Sequence, residues 1–246
     1  MPKKYEIYSV KDENSKKIVK KDKIFDLTHR LLLCGKTQSG KGVVATNFLL
    51  LPQYYLNDWK PENIYIFSKS LFFDKKTKIM IKQKRIPNSN LFNDIDDETL
   101  NVILDFIEEQ YMEAEERGEK PEHSLIIIDD LMENLKERSK DSAINNLFVA
   151  GRHKLISCWI MLQFYNKLPN VARQNANALV CFELPKKQME EIEKEHNYLD
   201  TKNEFMEKYK KATKEERGFF VINHTNDREN RYLDKHFNII ELPETK

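Results

Sequence analysis

Cysteine, glycine and unbroken apolar sequence are all scarce in this chain of 246 residues. The three cysteines, Cys34, Cys158 and Cys181, have an odd count and no zinc-ligand spacing, which argues against a disulfide framework or a zinc module. They read as small core residues. No apolar run approaches the roughly 20 residues that cross a bilayer, and the lysine-rich segment 1–23 holds no apolar export signal. The expectation is a protein of a cytosol-like compartment with no membrane partner. One-sided charge is missing as well. With 41 basic and 40 acidic residues the net charge is +1, so overall charge does not announce a nucleic-acid binder. Arginine forms no cluster, because the basic side chains are overwhelmingly lysine.

What the chain does have is a core. Hydrophobic residues make up 40% and aromatic residues 11%, too much for a disordered chain despite 33% charged residues. The length suits one core with appendages. The expected division is a basic arm over 1–27, a core over 28–185, and C-terminal helices with a final strand packed on that core over 186–246.

The wholly apolar run 31–34 marks a strand buried on both faces, and short, largely apolar runs mark further strands at 63–68, 124–129, 155–163, 178–183 and 218–223. Helical periodicity falls between them, at 43–50, 96–117, 140–150, 170–177, 186–196 and 204–213. This alternation predicts an α/β fold with a mainly parallel central sheet between helical layers, a three-layer sandwich. Residues 72–85 break the pattern as a basic, partly apolar excursion. Its stretch 75–85 has six basic side chains and no acid, interleaved with Ile79, Met80 and Ile81, and is a candidate DNA-binding segment or a solvated basic hairpin.

Three of the six glycines, Gly35, Gly40 and Gly42, fall in GKTQSGKG directly after the first strand. Between strand and helix such a loop wraps phosphates with backbone N–H groups, and Lys41 reaches the terminal phosphate oxygens. The candidate nucleotide-binding residues are therefore Gly35, Lys36, Thr37, Gln38, Ser39, Gly40, Lys41, Gly42 and Val43, with ATP as ligand. Gly42 stands where a serine or threonine usually gives a hydroxyl to Mg²⁺, which leaves water, Ser39, Thr37, Thr46 or the following acids to hold the ion. Nucleoside monophosphate kinases also carry glycine there.

The run LIIIDD ends an apolar strand in two carboxylates, Asp129 and Asp130. At the C-terminal end of a parallel strand Asp129 can hold Mg²⁺ and Asp130 can polarise an attacking water, although one of them can equally cap a helix. Gln163 ends the strand of 155–163 as a candidate γ-phosphate sensor or a simple loop cap. Arg152 before that strand and Arg173 after it are candidate arginine fingers or ordinary surface arginines.

The set LLLCGKTQSGKG, SLIIIDDL, GRHKLISCWIMLQ and LPNVARQN resembles the poxvirus-like genome-packaging ATPases of the FtsK-HerA superfamily, found in large DNA viruses and virophages. The resemblance runs over about 31–184, and the RH-x-x-IS and LP-x-x-x-R-x-N patterns carry its specificity. It implies a P-loop NTPase of the ASCE, RecA-like kind with an additional strand. It also implies a homo-oligomeric ring, a pentamer or hexamer, that hydrolyses ATP with Mg²⁺ to translocate double-stranded DNA into a preformed capsid, beside capsid vertex proteins. The implied location is the host-cell cytoplasm, a viral factory or the virion. The implied roles are phosphate binding for Lys41, Mg²⁺ for Asp129, water activation for Asp130, sensing for Gln163, and the finger for Arg152, with Arg173 in reserve. Two rivals remain: a nucleotide-kinase-type phosphotransferase, which needs an arginine-rich lid, and a nucleotide-switched interaction protein without a motor cycle.

Overall fold

The computed structural model describes residues 23–129 and 142–242. Eight strands form one sheet: β1 (Arg30–Cys34), β2 (Ile64–Ser68), β3 (Leu91–Phe92), β4 (Ser124–Asp129), β5 (Ile156–Leu162), β6 (Ala178–Cys181), β7 (Phe220–Asn223) and β8 (Tyr232–Leu233). Their order across the sheet is β3-β2-β4-β5-β1-β6-β7-β8. Pairing is parallel from β3 through β6 and antiparallel at β7 and β8. The helices are α1 (Lys41–Leu50), α2 (Lys75–Lys84), α3 (Asp97–Glu116), α4 (Ala143–Ala150), α5 (Asn170–Asn175), α6 (Lys186–His196) and α7 (Lys202–Thr213).

Wholly apolar strands require cover on both faces, and the helices supply it. Alternation within β1 sends Leu32 and Cys34 into one core with α3 to α7, and Leu31 and Leu33 into the other with α1 and α2. β4 divides the same way, Ile126 and Ile128 against Leu125 and Ile127. The result is the three-layer α/β sandwich that the alternation predicts.

β5 lies between β4 and β1, so the strand ending in Asp129 and the strand feeding the glycine loop are not direct neighbours. The intervening strand brings its own end, Gln163, between the two. The long apolar stripe of α3 is held at its start by Asp96, which accepts from the Thr99 N–H at 2.6 Å, and by Asp97, which accepts from the Ala143 N–H at 2.9 Å.

The structure adds detail that the sequence pattern does not carry. The strand expected at 218–223, β7, joins antiparallel within a sheet that is mainly parallel as expected. β3 and β8 are too short, at two residues each, to leave a pattern in the sequence. The basic excursion is mostly the helix α2, and one of its lysines, Lys84, is buried and donates to Leu56 O at 2.6 Å and Trp59 O at 3.1 Å. Of the arm expected over 1–27, Phe25 is fully buried and exchanges hydrogen bonds with the Tyr55 hydroxyl at 2.9 Å through its N–H and its carbonyl. Segment 1–22 of that arm lies outside the described residues.

All three cysteines are buried free thiols in strands. Burial pushes the Cys158 thiol well above its ordinary value, so it is inert as a nucleophile at neutral pH.

Candidate active site

The loop from Gly35 to Gly40 leaves β1 and turns directly into α1. The Gly35 N–H still pairs with Leu162 O of β5 at 3.0 Å, and Gly40 then takes φ +119°, which a side chain opposes. Space is as restrictive as torsion. A Cβ on Gly35 would lie 2.4 Å from Ser39 Oγ and 3.0 Å from the Phe182 Cβ, and one on Gly40 would lie 3.1 Å from the Phe182 ring. Phe182, just past β6, is thus the floor on which the loop rests. The Lys41 ammonium is folded into the loop, donating to Gly35 O at 2.5 Å and Lys36 O at 2.9 Å.

This loop forms one wall of a cavity of about 720 Å³ at the carboxyl edge of the parallel strands. Asp129 at the end of β4 and Gln163 after β5 line the same cavity as Lys41. Thr37 Oγ1 donates to Gln163 Oε1 at 3.2 Å, joining loop and strand end. Asp130 lies outside the described residues.

Of the hydroxyls that the sequence leaves open for Mg²⁺, Thr46 donates back to Gly42 O of its own helix at 2.6 Å and Thr37 is directed at Gln163. Ser39 Oγ is buried beneath Gly35 without a hydrogen-bond partner among the described residues. The hydroxyls that stand at Asp129 are others. Ser68 Oγ donates to Asp129 Oδ2 at 3.3 Å, and Ser70 Oγ is 3.1 Å from Ser68 Oγ. One carboxylate with two hydroxyls is a hard-oxygen set that fits Mg²⁺ rather than a softer ion. Among the described residues no group of three or more His, Cys, Asp or Glu side chains is placed to hold a metal.

The two arginines selected from the sequence are not brought to this cavity. Arg152 precedes β5 and so sits at the opposite edge of the sheet, roughly 20 Å from Gln163 along a strand rising about 3.3 Å per residue. There burial first, and then the Arg152 charge, lower the Arg30 guanidinium. Arg173 is mostly buried, paired with Glu195 at 3.2 Å and stacked over Tyr165 at 5.1 Å.

Sequence reasoning missed the arginine that does line the cavity, Arg217. Because β7 runs antiparallel, its start rather than its end meets the carboxyl edge, and Arg217 precedes that start with φ +58°. It also missed Ser68, Ser70, the α2 cap Asp74, and Lys76 and Thr77 of α2, all of which line the cavity. Ser68 was detectable, since it is the polar end of an apolar parallel strand just as Asp129 and Gln163 are.

Comparison with known proteins bears on the fold and on the family. The DNA-packaging ATPase B204 from Sulfolobus turreted icosahedral virus superposes with a TM-score of 0.55 at 17% identity, covering 81% of this chain and 94% of that one. The genome packaging NTPase B204 from Sulfolobus turreted icosahedral virus 2, in complex with ATP-gammaS, gives 0.51 at 15% identity over 80% and 92%. EssC (ATPases 2 and 3) from Geobacillus thermodenitrificans gives 0.51 at 13% identity over 67% of this chain and 34% of that one. At such identities the likeness establishes the fold. No curated protein matches the sequence. The family model described as poxvirus A32 protein matches residues 16–233, most of the chain, and this protein belongs to that family.

Proposed function

We propose that the chain is an ATP-hydrolysing motor that moves double-stranded viral DNA into a preformed capsid. The observation that carries this reading is the meeting of Lys41, Asp129 and Gln163, at or beyond the ends of three adjacent parallel strands, at one cavity walled by a glycine loop. Membership of the poxvirus A32 family and the likeness to genome-packaging NTPases support the choice of substrate and task.

In this reading the loop N–H groups and Lys41 bind the phosphates of ATP, the ammonium exchanging two neutral carbonyls for charged oxygens. The Ser39 hydroxyl, without a partner among the described residues and in the lining of the cavity, fits an oxyanion ligand. Asp129, Ser68 and Ser70 would hold Mg²⁺, which when bound neutralises charge on the terminal phosphates. Asp130 accepts the proton of the attacking water as its oxygen bonds to the γ-phosphorus and the bond to the bridging oxygen breaks, giving ADP and phosphate. Gln163, tied to Thr37, orients that water. Arg152 stands too far away to act in its own subunit and is assigned as a finger to a neighbouring one, in a homo-oligomeric ring of five or six copies. Duplex DNA, capsid vertex proteins and a place in the host cytoplasm, viral factory or virion complete the proposal. Among the described residues no helix is long and apolar enough to cross a membrane. A nucleotide-kinase lid needs several arginines, and among the described residues the cavity is lined by Arg217 alone of that type.

The test is steady-state ATP turnover with and without duplex DNA. Turnover should rise with DNA and vanish in Lys41→Ala. Turnover untouched by that substitution overturns the site, and turnover indifferent to DNA overturns the motor.

A further inference from the structure

Gly42 is the position at which this loop departs from the usual pattern, and the structure puts something specific in the space so created. A Cβ on Gly42 would lie 3.2 Å from the Lys76 Cδ, closer than an ordinary contact. The stem of Lys76 therefore crosses the place where a serine or threonine side chain would project from the first turn of α1. Lys76 belongs to α2, and its residue lines the same cavity as Lys41 and Asp129.

We propose that Lys76 is a second phosphate-binding lysine of the nucleotide site, admitted by the missing side chain at Gly42. This rests on the nucleotide reading of the cavity and adds a residue to it. Lys76 lines the cavity together with Lys41 and Gly42 at the start of α1. Its partner in the present structure is weak: Asp74 Oδ1 lies 3.6 Å away, with both side chains partly exposed. Asp74 has other work. Its Oδ2 caps α2 by accepting from the Thr77 N–H at 2.8 Å and the Thr77 hydroxyl at 3.0 Å, which fixes the start of α2 and hence the root of Lys76. Burial alone would raise the Asp74 carboxyl, but the Thr77 donors and Lys76 overcome it and hold the group below the usual carboxylate range. A polyphosphate offers the ammonium more negative charge than a single carboxylate that is already bonded. Where other P-loops place a hydroxyl on the metal, this one places a cation beside the phosphates.

The experiment measures binding of fluorescent ATP and AMP analogues to the full chain with Mg²⁺. Lys76→Gln should weaken ATP on the order of 10-fold, the size of one charge-assisted hydrogen bond, and leave AMP unchanged. Lys76→Arg should recover most of the loss. Gly42→Ser should weaken ATP by displacing the Lys76 stem, and Lys76→Gln should then cost nothing more, because the two substitutions remove one interaction. ATP affinity in Lys76→Gln equal to wild type, or losses that simply add in the double variant, overturns the proposal. Lys41→Ala separates the two levels of argument. If it loses ATP while Lys76→Gln does not, the lysine pair is wrong and the site stands; if neither loses ATP, the site itself is wrong.

Discussion

Ser68 and Asp129 face each other across the β2–β4 pair, and the serine hydroxyl donates to Asp129 Oδ2 at 3.3 Å. With Gly42 unable to supply a hydroxyl, this pair and Ser70 form the hard-oxygen set proposed for Mg²⁺. Asp129→Asn should abolish the gain in nucleotide affinity that Mg²⁺ gives. Ser68→Ala should shift the Mg²⁺ midpoint of nucleotide binding by about 10-fold or more, the usual effect of removing a group that orients a metal ligand. A Mg²⁺ titration of Ser68→Ala that overlays wild type would leave Asp129 without this helper.

The arginines separate by position. Arg217 lines the cavity of its own subunit, whereas Arg152 lies at the far edge of the sheet. Each alanine variant should lower turnover, by on the order of 10³-fold for a finger. Mixing Arg152→Ala subunits with Lys41→Ala subunits should restore activity at junctions that pair an intact loop with an intact finger. The same mixture with Arg217→Ala should restore none, because no subunit then holds both Lys41 and Arg217. Recovery with Arg217 and not with Arg152 would reverse the assignment.

The sheet's interior was legible because strands such as β1 and β4, buried on both faces, must be apolar throughout, and their polar ends stand out against that background. Asp129 and Gln163, which line the cavity, were picked out that way, and the loop before α1 by its three glycines directly after β1. Lys76 and Asp74 were not, because α2 is dominated by charge and its helix is held by an Asp74 cap and by packing on α1 rather than by an apolar stripe. Arg217 escaped because strand direction at the sheet edge is a tertiary outcome that the run GFFVIN does not encode. Arg173 looked like a finger in the sequence, and only Glu195 and Tyr165, both distant in the chain or across a turn, reveal it as a packed arginine.

His29 gives a pH dependence with a definite sign. Its ring is fully buried beside Trp159, whose indole N–H donates to His29 Nε2 at 2.7 Å, while Nδ1 sits 2.8 Å from Asp26 O. Both contacts together require the neutral ring with the proton on Nδ1. Burial lowers its pKa to about 4, and His196 and His224 are likewise lowered by burial, to about 3 and about 4. The unfolded chain takes up these protons below ~6.5, so it binds more protons than the folded chain and stability falls as pH drops. Urea unfolding between about pH 6.5 and 5, above most carboxylate titration, should lose on the order of 1.4 kcal/mol per pH unit for each histidine that stays neutral. A flat profile over that range would mean that the histidines are protonated in the folded protein.

The helix α2 divides its basic residues between two tasks, and that division can be tested on DNA. Lys75, Lys78 and Lys82 are exposed and fall on one face at helical spacing, while Lys84 is buried against the carbonyls of Leu56 and Trp59. If the outer face grips duplex DNA, replacing Lys75, Lys78 and Lys82 with Gln should weaken binding of all duplex sequences alike. The slope of log affinity against log salt should fall by roughly 0.9 for each phosphate that the helix no longer neutralises. Lys84→Gln should behave differently, lowering the unfolding midpoint by leaving buried carbonyls short of a donor while the salt slope of the folded protein stays as it was. A triple variant with the wild-type salt slope would move the DNA-binding surface off this helix, and the lysine-rich segment 1–23 would be the next to substitute.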